Sequence, residues 1–234
     1  MLVSTTQSTD YIEPPMPHRI SRRVKKLPRS FYARPAVDLA SDLISKILVH
    51  RVGGKEFRAR IVETEAYIGE HDLACHASKG RTRRTEVMFG RAGHAYVYFV
   101  YGMHDMLNIV ASKVGDAQAV LIRAAEPLDG WQADLSGPAK LARAMHITTR
   151  ADNGLDLTGK KLFLLDDGTS PRKITRSKRV GVDYAQDWTH ALLRFHDADS
   201  PAVSKRWKRQ TRSTAKNAKT TSKKRSTNRM NRDE

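Results

Sequence analysis

The sequence predicts the α+β class: one mixed domain over residues 31–200, set between two basic arms. Three observations predict it. Strand and helix signals come in no regular alternation, which argues against a doubly wound parallel sheet. Apolar residues make up 39% of the 234, enough for a core without covalent staples at this length, and a single cysteine, Cys75, excludes an internal disulfide framework and suits a reducing compartment. Charge, finally, is segregated. The net charge of +17 comes mainly from residues 1–30, with 6 basic and 2 acidic side chains, and from residues 201–234, with 12 and 2. The middle, with 24 and 21, is nearly balanced. The first arm, holding Pro14, Pro15, Pro17 and Pro28, reads as an extended, disordered segment. The last, rich in Lys, Arg, Ser, Thr and Asn without apolar period, reads as a disordered tail. No stretch approaches the roughly 18 apolar residues of a membrane span, and no basic segment followed by an apolar one opens the chain. A soluble, non-secreted protein is expected, with a polyanion, either nucleic acid or an anionic membrane surface, as the natural partner of so much positive charge.

The elements follow in chain order. After Pro35, the apolar residues Ala36, Leu39, Ala40, Leu43, Ile44, Ile47 and Leu48 recur at helical spacing and predict one amphipathic helix packed on a sheet. From Glu56 to Tyr67 the pattern is that of a strand, with Ile61, Glu63, Glu65 and Tyr67 on one face and Arg60, Val62, Thr64 and Ala66 on the other. Tyr96–Tyr101 and Met106–Ser112 predict two strands joined by a hairpin turn at Gly102–Asp105. Val120–Ile122 is a short buried strand ending at Arg123. Ser136-Gly137-Pro138 opens a helix with Leu141, Ala144 and Met145 as its apolar stripe. Leu162–Leu165 and Leu192–Phe195 supply further strands.

Four groups of residues could carry chemistry. Glu63 and Glu65 share a strand face roughly 7 Å apart; such a pair suits hydrolysis at an anomeric carbon, or simply pairs with arginines. Tyr96, Tyr98 and Tyr101 surround Phe99; such runs usually belong to a core, but a ring beside a hairpin turn can wedge into a base stack, and Tyr67 and Tyr98 offer flat faces for an extruded base. His71 and Cys75, four apart, with His76, His94 and His104 beyond, invite a zinc reading. No second close pair completes it and His-Glu-x-x-His is absent, so hydrogen-bonding histidines without metal are expected. Lys79, Arg81, Arg83, Arg84 and Arg91 form a basic run that is either a solvated loop or a phosphate seat, and Lys140 in the first turn of the Ser136 helix offers another. Serine-nucleophile, Walker and dinucleotide motifs are absent.

Taken together, Arg60-Ile61-Val62-Glu63-Thr64-Glu65-Ala66-Tyr67, His76, Met88-Phe89-Gly90, Tyr96-Val97-Tyr98-Phe99-Val100-Tyr101-Gly102-Met103, Asn108, Val120-Leu121-Ile122-Arg123-Ala124-Ala125-Glu126-Pro127, Gly137-Pro138-Ala139-Lys140-Leu141 and Arg179-Val180-Gly181-Val182 strongly resemble the alkyladenine (3-methyladenine) DNA glycosylase family. The resemblance runs from about Phe31 to about Ser200. It implies a metal-free and cofactor-free monomer that flips a damaged purine out of double-stranded DNA and hydrolyses its N-glycosidic bond. By matching position, Glu65 is similar to the general base, Arg123 to the residue that holds that base and its water, and Tyr67, His76 and Tyr98 to pocket residues. Tyr101 resembles the intercalating wedge, and Asn108 the pocket residue that disfavours the exocyclic amine of guanine. Arg81, Arg84 and Lys140 are the expected phosphate contacts, and Glu63 is left as a structural salt bridge. The expected fold is a curved, mainly antiparallel sheet flanked by helices, with a protruding β-hairpin. His104, Asp105 and Cys75 depart from the pattern; an acid near phosphate is unhelpful there.

A basic nucleic-acid binder without catalysis would account for the arms but has no use for Glu65 facing an aromatic pocket. A carbohydrate hydrolase built on Glu63 and Glu65 conflicts with the basic arms and the wedge. No aligned lysine suggests a Schiff base, so hydrolysis without strand cleavage is expected, in a bacterial cytoplasm at the nucleoid, or in a nucleus addressed by Lys223-Lys224-Arg225 in a eukaryote. Deleting residues 201–234 is expected to flatten the dependence of log affinity on log salt and to weaken binding to all duplexes alike. Titrations at several salt concentrations measure it, and an unchanged slope would contradict it.

Overall fold

The computed structural model describes residues 24–100 and 102–204. The expectations of an extended arm over residues 1–23, a disordered tail from residue 205 and a wedge at Tyr101 fall on residues outside these; residues 24–30, expected in the arm, instead open the domain with a short strand and the start of a helix, and residues 201–204, expected in the tail, bring a buried Ser204 back onto the sheet. The chain enters through β1 (Lys25–Lys26) and α1 (Arg29–Tyr32), then forms α2 (Ala36–Asp42), β2 (Ile47–Val52) and β3 (Lys55–Tyr67). After two 3-10 turns come β4 (Ala95–Val100), β5 (His104–Val110), β6 (Ala119–Pro127), α3 (Pro138–Ala144) and α4 (Thr149–Asp152). Last are β7 (Leu162–Asp166), β8 (Ile174–Ser177) and β9 (Arg194–Asp197). The strands make one curled antiparallel sheet in the order β1-β7-β2-β3-β6-β5-β4, with β8 on β9 and β9 on β3. This is the single mixed α+β domain expected.

Strand β3 organises it. One edge carries β6 over Ala59–Tyr67; the other carries β2 up to Arg60 and then β9 at Glu63–Glu65. Between Ile61↔Ala125 and Glu63↔Ala124 the register slips, leaving Val62 as an extra residue of β3 in a β-bulge, and between Glu63↔Ala124 and Thr64↔Ile122 it slips back, leaving Arg123 as the extra residue of β6. A bulge reverses the alternation of faces. Ile61 therefore packs with Ala59 and Ala66 in the main core, beneath Leu39, Ala40 and Leu43, and the Thr64 hydroxyl donates to the carbonyl of Ala40 at 2.8 Å. Simple alternation had grouped Ile61 with Glu63, Glu65 and Tyr67. The bulge separates them, so a core-facing residue and three site-facing residues belong to one strand.

The helix expected from Ala36 to Leu48 ends at Asp42. Ser45 reverses the chain with φ +76° and gives its N–H to Ile61 O at 2.8 Å. Ile47-Leu48-Val49 then enters β2, where Leu48 joins the main core and Ile47 and Val49 meet Phe163 on the opposite face. A continuous apolar run buried on two faces suits a strand better than a helix, and its spacing alone does not separate the two. β4 and β5 pair from Ala95↔Ile109 to Val100↔His104, so the second strand starts two residues before the expected Met106. Asp105 accepts the N–H and hydroxyl of Thr149 at 2.8 and 2.6 Å, fixing the start of α4. That acid, which looked misplaced beside phosphate, has a structural partner.

The loop feeding β4 turns at Gly93, with φ +75°. Its N–H donates to Val110 O and its carbonyl accepts from Leu157 N–H. A Cβ there would lie 2.6 Å from Cδ2 of the fully buried Tyr32 ring. Gly93→Ala therefore combines an overpacked contact with an unfavourable backbone conformation, and is expected to cost about 2 kcal/mol or more. Urea denaturation measures it; an unchanged midpoint would show that Tyr32 yields freely.

Candidate active site

Strands β3, β6 and β9 bring two carboxylates and two guanidiniums into the sheet interior. Glu63 is fully buried, and its Oε1 accepts from Arg123 Nε at 2.7 Å, Arg194 Nε at 2.6 Å and the Ser204 hydroxyl at 2.8 Å; its Oε2 accepts the Ser204 N–H at 2.6 Å. Burial by itself would push this carboxyl up, but Arg123 and Arg194 outweigh it and hold Glu63 below its ordinary range. Arg123 reaches the second acid as well, with Nη1 3.3 Å from Glu65 Oε1. Burial disfavours its charge, yet Glu65 and Glu63 keep the guanidinium ionised.

Glu65 is also fully buried. It accepts the Tyr67 hydroxyl at 2.9 Å on Oε2 and the Val180 N–H at 2.7 Å on Oε1. Burial and the neighbouring Glu65 push Tyr67 well above the usual phenol range, so it remains a donor. The loop that delivers Val180 is locked by Arg179, whose buried guanidinium grips Asp72 through Nη1 and, at 2.8 Å, Nη2, donates to Ala66 O at 2.9 Å and lies 4.8 Å from the centre of the Tyr67 ring. Asp72 in turn accepts the N–H groups of Ile68 and Ala74, holding the chain on its way from β3 to His76.

Beside this pair opens a cavity of about 270 Å³ lined by Tyr67, His76, Tyr98, Asn108 and Arg123, together with Cys75, Met88, Tyr96, Met106, Leu121, Val180, Val182 and Tyr184. The His76 and Tyr98 rings meet edge to face, 4.5 Å between centres. His76 Nδ1 is 3.0 Å from the Tyr96 hydroxyl, and burial, reinforced by the positive Arg84, lowers the imidazole to about 4. It is therefore neutral at pH 7, with one ring nitrogen a donor and the other an acceptor. Asn108 gives its amide hydrogens to the carbonyls of Tyr96, at 3.2 Å, and Met106, at 3.5 Å. Burial pushes the Cys75 thiol up to about 11.

Thus Glu65, Arg123, Tyr67, His76, Tyr98 and Asn108 come together at one place, while Tyr101 lies outside the described residues. The three expected phosphate contacts are dispersed. Arg84 sits 5.3 Å from the centre of the Tyr98 ring. Arg81 is paired with Glu86 at 2.7 Å, and Lys140 with Asp134 at 2.7 Å, both on the surface. The exposed His71 packs against Trp188, and among the described residues no group of three or more His, Cys, Asp or Glu could hold a metal ion. Reading the sequence missed the Val180 N–H, the Arg179–Asp72 lock and the Arg194–Ser204 side of Glu63. The Arg179-Val180-Gly181-Val182 string was visible, and Gly181 with φ +76° is its turning point, but a backbone donor leaves no residue-type signal.

Glu63→Gln would leave Arg123 and Arg194, with side chains 8% and 12% exposed, short of a counter-charge, and is expected to cost about 3–5 kcal/mol. A depressed carboxyl contributes stability that is full above its unfolded value and lost as pH falls through its folded one. The difference between wild type and Glu63→Gln should therefore shrink in acid, as pH falls below the ordinary carboxyl value of 4.5. Denaturation curves from pH 7 to pH 3 check the sign, and a difference that grew in acid would contradict it.

A family model described as "Methylpurine-DNA glycosylase (MPG)" matches residues 30–201. A protein of Legionella pneumophila (strain Lens) is 48% identical over 183 residues, 78% of this chain and 100% of its own. One from Methanocella arvoryzae is 49% identical over 193 residues, 77% of this chain and 96% of its own, and one from Myxococcus xanthus is 50% identical over 182 residues, 76% and 93%. All three carry the name "Putative 3-methyladenine DNA glycosylase". With most of the described domain matched by that model and by relatives near half identity, this chain belongs to the methylpurine-DNA glycosylase family of DNA-repair hydrolases.

Proposed function

We propose that this DNA glycosylase takes alkylated or deaminated purines, such as 3-methyladenine, 7-methylguanine, hypoxanthine and ethenoadenine, out of duplex DNA and hydrolyses their N-glycosidic bond to leave an abasic site. The observation that carries the reading is a fully buried carboxylate, Glu65, held by two hydrogen-bond donors and an ion pair with Arg123 beside an aromatic cavity. A base inside a duplex cannot reach such a site, so the nucleotide must rotate out, at a cost of a few kcal/mol that is least for a damaged or badly paired base. Tyr101 is the proposed wedge that fills the gap. Tyr67, His76 and Tyr98 provide the faces and edges for the extruded purine, and Asn108 crowds the exocyclic amine of guanine.

Glu65 then accepts the proton of the attacking water as the bond to the sugar breaks, and its negative charge stabilises the oxocarbenium-like sugar. Arg123 and the Val180 N–H fix the carboxylate, so little reorganisation accompanies the step. Many alkylated purines are cationic and leave without acid assistance. Neutral lesions need a hydrogen bond or proton at the purine, and His76, neutral with one N–H, supplies the former. Among the described residues no lysine lines the cavity, which supports hydrolysis without a Schiff base or strand cleavage. The substrate is double-stranded DNA and the protein acts as a monomer, in the nucleoid of a bacterial cell. Among the described residues no helix is long and apolar enough to cross a membrane.

The test is to incubate the protein with duplexes bearing one hypoxanthine, ethenoadenine or methylated purine and to reveal abasic sites with alkali. Breaks are expected at the lesion only after alkali; none above the undamaged control would sink the reading. Glu65→Gln is expected to lower the single-turnover rate by about 10²-fold or more, the usual contribution of a general base, with lesion binding retained. Full activity in that variant would show the base to be misassigned.

A further inference from the structure

The last described residues run past the end of the family match at residue 201, and they reach the active site from behind. After β9, the Ser200 hydroxyl donates to Glu126 Oε1 of β6, the Ala202 N–H donates to Ser200 Oγ at 3.2 Å, and the chain arrives at Ser204, only 7% exposed. Every polar atom of Ser204 is engaged there. Its N–H and hydroxyl both donate to Glu63, at 2.6 and 2.8 Å; its Oγ accepts from Arg123 Nη2 at 3.2 Å; its carbonyl accepts from Arg194 Nη2 at 3.1 Å.

The Arg123 guanidinium has a different partner for each nitrogen: Nε on Glu63 at 2.7 Å, Nη1 on Glu65 at 3.3 Å and Nη2 on Ser204 Oγ at 3.2 Å. Two carboxylates compete for this one cation, and Glu63 holds it at the shorter distance. Two features keep the competition from being lost by Glu65. Ser204 and Arg194 supply Glu63 with donors of their own, reducing its demand on Arg123. The Oγ of Ser204 also fixes the third corner of the planar guanidinium, so that it cannot pivot about Nε and carry Nη1 away from Glu65.

We propose that Ser204 is a positioning residue of the active site, acting through Arg123 on Glu65, and that the segment 200–204 is thereby part of the catalytic apparatus. The inference rests on the reading that Glu65 and Arg123 perform the chemistry. Small displacements of a positioned group lower the rate steeply, with about 1 Å costing on the order of 10²-fold. Loss of one of three anchors should cost about ten-fold.

The experiment measures single-turnover cleavage of a hypoxanthine duplex and of a methylated-purine duplex over a range of enzyme concentrations. Ser204→Ala is expected to lower the saturating rate about ten-fold with half-saturation moved less than about two-fold, and Ser204→Thr, which keeps the hydroxyl, to recover most of it. In an Arg123→Lys background, where no Nη2 exists, Ser204→Ala should cost nothing further. A folded Ser204→Ala with the wild-type rate, a change confined to half-saturation, or a full additional loss on top of Arg123→Lys each overturns the proposal. Should Ser204→Ala fail to fold, Ser204→Cys, nearly the same size with a weaker donor, carries the test: an intermediate saturating rate supports it and a wild-type rate overturns it. A wild-type protein that releases none of the lesion bases overturns instead the reading of the site on which the inference depends.

Discussion

A single guanidinium between two buried carboxylates constrains the rest of this molecule. Arg123 bridges Glu63 and Glu65 in the interior of a sheet, where an uncompensated charge would be prohibitive. The fold meets that demand from three directions. β6 contributes the arginine, β9 contributes Arg194 against Glu63, and the loop after β8 turns a backbone N–H toward Glu65. Each acid is satisfied by donors from strands or loops distant in sequence, which ties the working geometry to the completion of the whole sheet.

The bulge at Val62 makes this arrangement compatible with a core. A regular strand would place Ile61 with the acids on one face, and either the hydrophobic residue or the carboxylates would face the wrong medium. The extra Val62 on β3, matched by the extra Arg123 on β6, resolves the conflict: Ile61 faces the apolar core before the bulge, and Glu63, Glu65 and Tyr67 face the polar site after it. The additional local twist that accompanies a bulge also agrees with the curl of the sheet around the cavity.

Much of this was legible in the sequence. The alternation through Glu65 and Tyr67, the two strands flanking Gly102 and the end of a buried strand at Arg123 identified the elements that meet at the site, because side-chain type and spacing record those directly. Other features leave no such record. Ile47-Leu48-Val49 reads equally as the end of a helix or a strand, and tertiary pairing with Arg60 and Phe163 decides it. The bulge depends on pairing with Ala124 and Ala125, contacts some sixty residues away. Arg179 and Asp72, 107 residues apart, and Ser204 and Glu63, 141 apart, are legible only once the chain is closed. The large net charge pointed to a polyanion but not to the site: around the cavity, acids and guanidiniums nearly balance, and the imidazole is neutral.

Cys75 acquires a meaning in this setting. It is the chain's single cysteine, 2% exposed, with its thiol pushed up to about 11 by burial. The thiolate, not the thiol, is the reactive nucleophile, so burial that pushes the thiol up to about 11 leaves little of the reactive form. Reagents that methylate purines are themselves electrophiles that attack sulfur. Cys75, in the wall of the cavity, is kept protonated and covered.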